Sequence, residues 1–339
     1  MRTLLLNIFL FVGLFATGQD LHFSQFYNSP LTINPALTGK KDVAYRANIN
    51  YRNQWFSLEN SKPFSTFAAS IDGRPIKDVF AQYDNLGVGL QLYHDRAGDG
   101  GYTDAQVLPS VSYHKALGYN HKLAVGIQSG LGTKRIDFSS LVVEQQYVGT
   151  GFDQTLPWGE TLGEESFSHL ELGVGTYYSY RDNTDKWNGF LGGSLLHVNE
   201  PNTTFLNESY TLKRRAVLNG GLTYFSDNGL VITPSVLYMK QAGASQMTFG
   251  LLVGSDLTDK YSTKYGGQTA VYAGAFWRKD DAIIGKAGVQ FDDIQVGISG
   301  DFAASDINKA LGIGSAFELS ITFIGLPDKD AKPIFCPGF

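Results

Sequence analysis

The chain has a single cysteine, Cys336, close to its C-terminal end, and only three methionines in 339 residues. One cysteine rules out any disulfide within the chain, so a small disulfide-stapled scaffold is excluded, as is a cysteine-rich zinc site. No cysteine stands where a bacterial lipoprotein would carry its lipid. Cys336 itself is read as a free thiol, with pairing to another chain as the alternative. Charge is also sparse: 27 basic against 32 acidic residues give a net charge of −5, with no basic block, which argues against a nucleic-acid partner. Beyond the first residues no apolar run approaches the ~20 residues of a spanning helix, so a membrane crossing by this chain has to be made by strands. The six histidines, His22, His94, His114, His121, His169 and His197, show no metal-ligand spacing. Walker, Rossmann and G-x-S-x-G signatures are missing. Asp256 to Asp259 and Asp280-Asp281 lack an EF-hand frame and read as turns. No catalytic, cofactor-binding or metal-binding residue is therefore assigned, and the chain is expected not to be an enzyme. An outer-membrane phospholipase, with residues converging from distant strands, is the weakest alternative.

At the front, Arg2, an apolar stretch from Leu4 to Phe15 and small residues at Ala16-Thr17-Gly18 have the layout of a cleaved secretory signal peptide. Cleavage after Gly18 leaves Gln19 as the mature N-terminus. The apolar stretch is too short for a membrane anchor. The expected division is 1–18 signal peptide, 19–42 extended segment, 43–325 barrel and 326–339 C-terminal periplasmic tail.

The mature chain is rich in Gly, Tyr and Phe, and it alternates. Phe317, Leu319, Ile321 and Phe323 interleave with Glu318, Ser320 and Thr322. Leu170, Leu172, Val174, Thr176 and Tyr178 are set against Glu171, Gly173, Gly175, Tyr177 and Ser179. Leu86, Val88, Leu90 and Leu92 alternate with Gly87, Gly89 and Gln91. Period two means strands with one apolar and one polar face. About fourteen such strands fit, at the length expected of outer-membrane barrels: 43–57, 64–72, 85–95, 103–117, 121–132, 169–180, 187–198, 214–225, 229–240, 245–256, 267–278, 281–290, 293–302 and 315–325. The even count puts both ends on one side, with tight turns on that rim and the longest connections, near 133–168 and 199–213, on the other. The even connections 73–84 and 257–266 are longer than that pattern favours. Rings near strand ends (Tyr51, Trp55, Phe56, Tyr178, Tyr180, Trp187, Tyr238, Tyr272 and Trp277) suit girdles at the membrane–water boundaries. A soluble β-sandwich is the competing fold. Glu171 and Glu318 fall on the polar face as lumen charges; a paired network there is favoured over a cation-selective open pore.

The segment Gln19–Gly39 carries the core F-S-Q-F-Y-N-S-P and the close I-N-P-A-L-T-G. With the final strand F-E-L-S-I-T-F and the ending Phe335-Cys336-Pro337-Gly338-Phe339, it resembles the PorP/SprF family of the Bacteroidota. The resemblance implies a type IX secretion-associated outer-membrane protein, laid out like fatty-acid-transporter-like barrels. It implies one of two roles. The first is a core component touching periplasmic ring lipoproteins; the second is a dedicated partner that helps export or anchor a large secreted adhesin with a C-terminal sorting domain, in surface attachment or gliding motility. The second is preferred. Solute transport, of a hydrophobic or small polar compound, is the runner-up.

Physically, Pro30 and Pro35 disfavour both helix and central strand, and Phe23, Phe26, Tyr27, Leu31, Ile33 and Leu37 are too apolar for a free tail. With Asn34 they are expected to form a lumen plug entering from the periplasmic side, or a periplasmic contact; a plain leader to the first strand is the simpler alternative. Tyr147, Phe152, Trp158 and Phe167 are the candidate cargo-docking residues of the long surface loop.

Overall fold

Each alternating run becomes a strand because one face can go to lipid and the other to a polar interior. The computed structural model describes residues 20, 22–40, 44–55, 63–98, 100–159, 165–205, 210–257, 269–304 and 315–325. Expectations for the signal peptide, Phe56, Cys336 and the 326–339 tail lie outside these residues. The strands are β1 (Tyr45–Gln54), β2 (Phe64–Lys77), β3 (Asn85–Ala97), β4 (Tyr102–Ala116), β5 (His121–Arg135), β6 (Ser166–Arg181), β7 (Trp187–Leu196), β8 (Arg215–Phe225), β9 (Leu230–Gln241), β10 (Ala244–Asp256), β11 (Thr269–Arg278), β12 (Ala282–Phe291), β13 (Ile294–Ala303) and β14 (Ser315–Gly325). Every neighbour pair is antiparallel and consecutive, and β1 pairs with β14, from Tyr45 opposite Gly325 to Gln54 opposite Ala316. That closure removes the sandwich alternative and leaves no free sheet edge.

The faces are inverted relative to a water-soluble protein. Ile49, Phe67, Ile127, Leu191, Leu218, Ile298 and Phe317 are exposed on the outside, while Asn48, Asn50, Ser112, Asn219, Gln295, Ser320 and Thr322 are buried. Such an apolar exterior is stable only in lipid. Among the described residues no helix is long and apolar enough to cross a membrane; the strands make the crossing. Tyr51, Trp277 and, at the opposite rim, Tyr178, Tyr180 and Trp187 are exposed at strand ends, as girdles require. Tyr272 departs from that expectation. It is 4% exposed and turned into the lumen, because it sits on the inward register of β11.

Several strand boundaries also differ from the sequence reading, and two of them matter for the site. β2 continues to Lys77 through an irregularity between Gly73 and Ile76, where three steps on β2 match two on β3. A bulge breaks period two, so the alternation seems to stop where the strand does not. β6 begins at Ser166, which places Phe167 on the wall rather than in the loop.

One rim holds the start of β1, the end of β14 and the connections after the even strands; it is called the turn rim below. The other, the loop rim, carries the connections after the odd strands, including the long β5–β6 and β7–β8 excursions. Long loops face the cell exterior in outer-membrane barrels.

Candidate functional site

Asp20 and residues 22–40 are placed lengthwise through the lumen, from the loop rim down to the turn rim. The backbone makes three single turns of 3-10 helix, Phe26–Asn28, Pro30–Thr32 and Pro35–Leu37, two of them opening on a proline whose missing N–H is not needed there. Asn34 caps the third, accepting from the Ala36 N–H at 2.9 Å. So irregular a segment satisfies few of its own polar groups, and buried ones must find partners. The wall supplies them.

The strongest anchor lies toward the loop rim. Glu318 of β14 accepts the N–H groups of Ser24 (2.6 Å) and Gln25 (2.8 Å) and is paired with Arg52 of β1. Asp301 of β13 accepts from the Ser24 hydroxyl at 2.7 Å and pairs with Arg52 (3.0 Å) and Arg278 of β11 (2.9 Å). Lys286 of β12 donates to the Ser24 carbonyl oxygen. Both arginines and both carboxylates are at most 5% exposed at the side chain. Buried charges of this kind persist only when each is paired and hydrogen-bonded.

Further along, Asn34 donates to Thr176 O (2.9 Å), Arg215 donates to Thr32 O (3.0 Å), and Asn50 donates to Asn28 O (2.8 Å). At the turn rim, Asp72 accepts from the Gly39 N–H (2.7 Å) and holds Arg46 in a two-point pair at 3.0 Å each. Arg46 also donates to Leu37 O.

Apolar side chains fill the space between these anchors. Phe26, Tyr27, Ile33, Ala36 and Leu37 join Tyr177, Val217, Leu237, Leu252, Phe276 and Ile284 of the wall in one buried cluster. Phe26 meets Phe276 edge to face at 6.0 Å, and the Lys286 ammonium lies 3.8 Å from the Phe276 ring centre and 4.6 Å from that of Tyr27. The wall makes room with glycine: a Cβ on Gly126 would strike the Pro35–Ala36 peptide, and one on Gly87 would strike Thr38.

All seven residues singled out in this segment, Phe23, Phe26, Tyr27, Pro30, Leu31, Asn34 and Pro35, are buried within the barrel. They have no face left for a periplasmic partner, which corrects that alternative. Asp20 stands at the loop rim, where its carboxylate meets His197 (2.5 Å) and Arg215 (3.6 Å). Glu318 and Glu171 both face the lumen in paired networks, Glu171 between His169 (2.7 Å) and His197 (2.5 Å).

The surface-loop residues separate into three settings. Tyr147 and Phe152 are more than half exposed and lean together at 5.3 Å, closing a bridge at the tip of the β5–β6 loop. Trp158 packs on Phe138 at 5.9 Å. Phe167 lies on β6 and meets Phe205 at 4.8 Å, so it is not a loop anchor. Gln146, 1% exposed, holds the loop in shape by donating to Leu156 O and accepting from the Val143 N–H. The Thr155 hydroxyl and N–H both donate to Asp153, keeping its carboxyl below the usual range.

A cavity of about 370 Å³ remains at the loop end of the lumen, between the segment and strands β3 to β8. Among the described residues no group of three or more His, Cys, Asp or Glu is placed to hold a metal ion.

Sequence reading missed Arg46, Arg52, Asp72, Arg278, Lys286 and Asp301. The signal was present: each is a charged residue on a strand preceded at odd offsets by apolar residues or glycine, as in Ala47, Ile49 and Tyr51 before Arg52.

The sequence profile of the family described as "Type IX secretion system membrane protein PorP/SprF" matches residues 16–323. No curated protein matches the chain by sequence. Among solved structures, a mutant of the TodX monoaromatic hydrocarbon channel aligns over 87% of this chain and 93% of its own, with a TM-score of 0.50 at 10% identity. A FadL homologue from Pseudomonas aeruginosa aligns over 86% and 92%, with a TM-score of 0.49 at 12% identity. At such identities the likeness to the TodX channel concerns the barrel fold alone.

Proposed function

The chain belongs to the PorP/SprF family of type IX secretion system membrane proteins, and from that premise we propose that it is a non-catalytic platform for a secreted protein. It is an outer-membrane, secretion-associated barrel. In the proposed role it binds a large adhesin-type cargo through the cargo's C-terminal sorting domain and helps export it or hold it at the cell surface. Periplasmic ring lipoproteins of the secretion machine are the second class of partner.

The observation that carries this reading is the filled lumen. Asp20 and residues 22–40 are bonded to the wall from rim to rim, so the chain's own segment occupies much of the barrel interior. What such a barrel offers a partner is its rims. On the loop rim, Tyr147 and Phe152 present exposed rings on a loop held in one shape by Gln146. Rigid exposed aromatics are suited to anchor a protein interface.

The test is capture of the tagged barrel from detergent-solubilised outer membranes, with mass spectrometry of what co-purifies. A large secreted protein in near-equal amount, lost when 140–165 is removed, is the expected result. Unchanged capture after that deletion overturns the loop assignment. Recovery of ring lipoproteins alone favours the core-component role. Passage of a hydrophobic or small polar solute is the second reading, favoured only by the cavity at the loop end; solute uptake by a clean barrel lacking protein partners would support it.

A further inference from the structure

The ladders from β2 to β5 bring Thr66, Asp95, Asp104 and Lys134 side by side at one level of the wall, just below the loop rim. Asp95 and Asp104 are direct cross-strand partners. Like charges directly opposite on neighbouring strands repel, so such a pair calls for a cation between or beside them. Only part of that need is met. Lys134 lies 3.4 Å from Asp104, which also accepts from Gln106 at 3.1 Å. Asp95 is 9% exposed, accepts from the Thr66 hydroxyl at 2.7 Å and from the Arg96 backbone N–H, and has no ion pair among the described residues.

Of the other cations nearby, His94 stands on the outward face of β3 and two are committed elsewhere. Arg215 serves Asp20 and Thr32 O, and His197 stands between Asp20 and Glu171. Both Asp95 and Asp104 line the cavity of about 370 Å³, together with the rings of Tyr93 and Tyr102 and the apolar side chains of Phe23, Leu31 and Leu108. That volume is in the range of small-molecule sites. A buried carboxylate without a cation is costly, and aromatic walls add attraction for an organic cation.

We propose that this cavity binds an organic cation, a primary ammonium or guanidinium on an aliphatic stem. Asp95 takes the charge, Asp104 shares it, and the stem lies against Phe23, Leu31 and Leu108. The site stands apart from the cargo reading: it needs only the lumen geometry. The same chemistry is carried by a free amine and by a lysine or arginine side chain within a polypeptide.

The experiment is calorimetric titration of the full-length barrel in detergent with 1,5-diaminopentane and, separately, with Nα-acetyl-lysine amide. Binding of either probe by the wild type, weakened about tenfold or more in Asp95→Asn, is the expected result. Tighter binding of the lysine derivative identifies a side chain as the source, and tighter binding of the diamine identifies a free amine. Lys134→Gln removes the competing ammonium and should strengthen binding several-fold, a gain that a misfolded barrel cannot produce. Absence of binding by the wild type at millimolar probe overturns the proposal. So does unchanged affinity in Asp95→Asn together with no gain in Lys134→Gln.

Discussion

The two sides of this lumen answer burial of charge in opposite ways. On the side built from β11 to β14 and β1, Arg52, Arg278, Asp301 and Glu318 close around Ser24, and each of these four groups is paired with another of them and bonded to the threaded segment. Across the lumen, at the level of Asp95, β3 to β5 bring together two facing carboxylates and Lys134, and the segment stops short of them, leaving a cavity. The first arrangement spends its charges on holding the chain to itself. The second leaves charge directed at something else. A lumen can thus be threaded by its own chain and still keep a cavity at one end.

The largest effect expected on the closed side is from Glu318→Ala, which strips two backbone N–H groups and Arg52 of their shared acceptor. Loss of one partner of a buried pair costs roughly 3–5 kcal/mol. The segment should become cleavable by added protease between residues 20 and 40 while the barrel keeps its heat-modifiable migration on gels. Retained protection would show that the apolar cluster alone holds the segment. Phe26→Ala probes that cluster directly; a buried Phe→Ala change costs about 3–5 kcal/mol, and here the ring's contact with Phe276 and Lys286 is lost as well. Its urea midpoint should fall nearly as far as that of Glu318→Ala. Gly126→Val tests the clearance in the wall, with a cost of about 1–3 kcal/mol for overpacking against Pro35. A midpoint equal to wild type would mean that the segment can shift aside at that level. The smallest effect on stability belongs to the double change Tyr147→Ser and Phe152→Ser on the loop, within about 0.5 kcal/mol of wild type. Cargo capture, by contrast, should fall sharply if these rings anchor the partner.

Much of the wall was legible because lipid on one side and a polar lumen on the other impose period two on every strand. Phe317 through Phe323 alternate in the sequence and alternate in exposure. Legibility failed where a local event broke the period, as at the Gly73–Ile76 bulge, or where an aromatic took the inward register, as Tyr272 does. The candidate site was harder to read. The inward charge of Glu318 was visible, but its partners come from β1, β11 and β13, and no local pattern encodes which strand level will meet Ser24. The apolar content of the 19–42 segment signalled burial. How far it reaches did not follow, since that depends on Asp20 meeting His197 and Arg215 nearly two hundred residues later.

The grip on Ser24 joins the two ends of the wall. Arg52 stands on the first strand and Glu318 on the last, and Glu318 reaches back across 294 positions to the Ser24 N–H. The segment emerges first during synthesis, yet its chief acceptor emerges almost last. Contacts of such long range form late, after the intervening chain has been ordered. A barrel still open along the β1–β14 seam therefore lacks the assembled Arg52–Glu318 grip on Ser24, and closing the seam is the step that completes it.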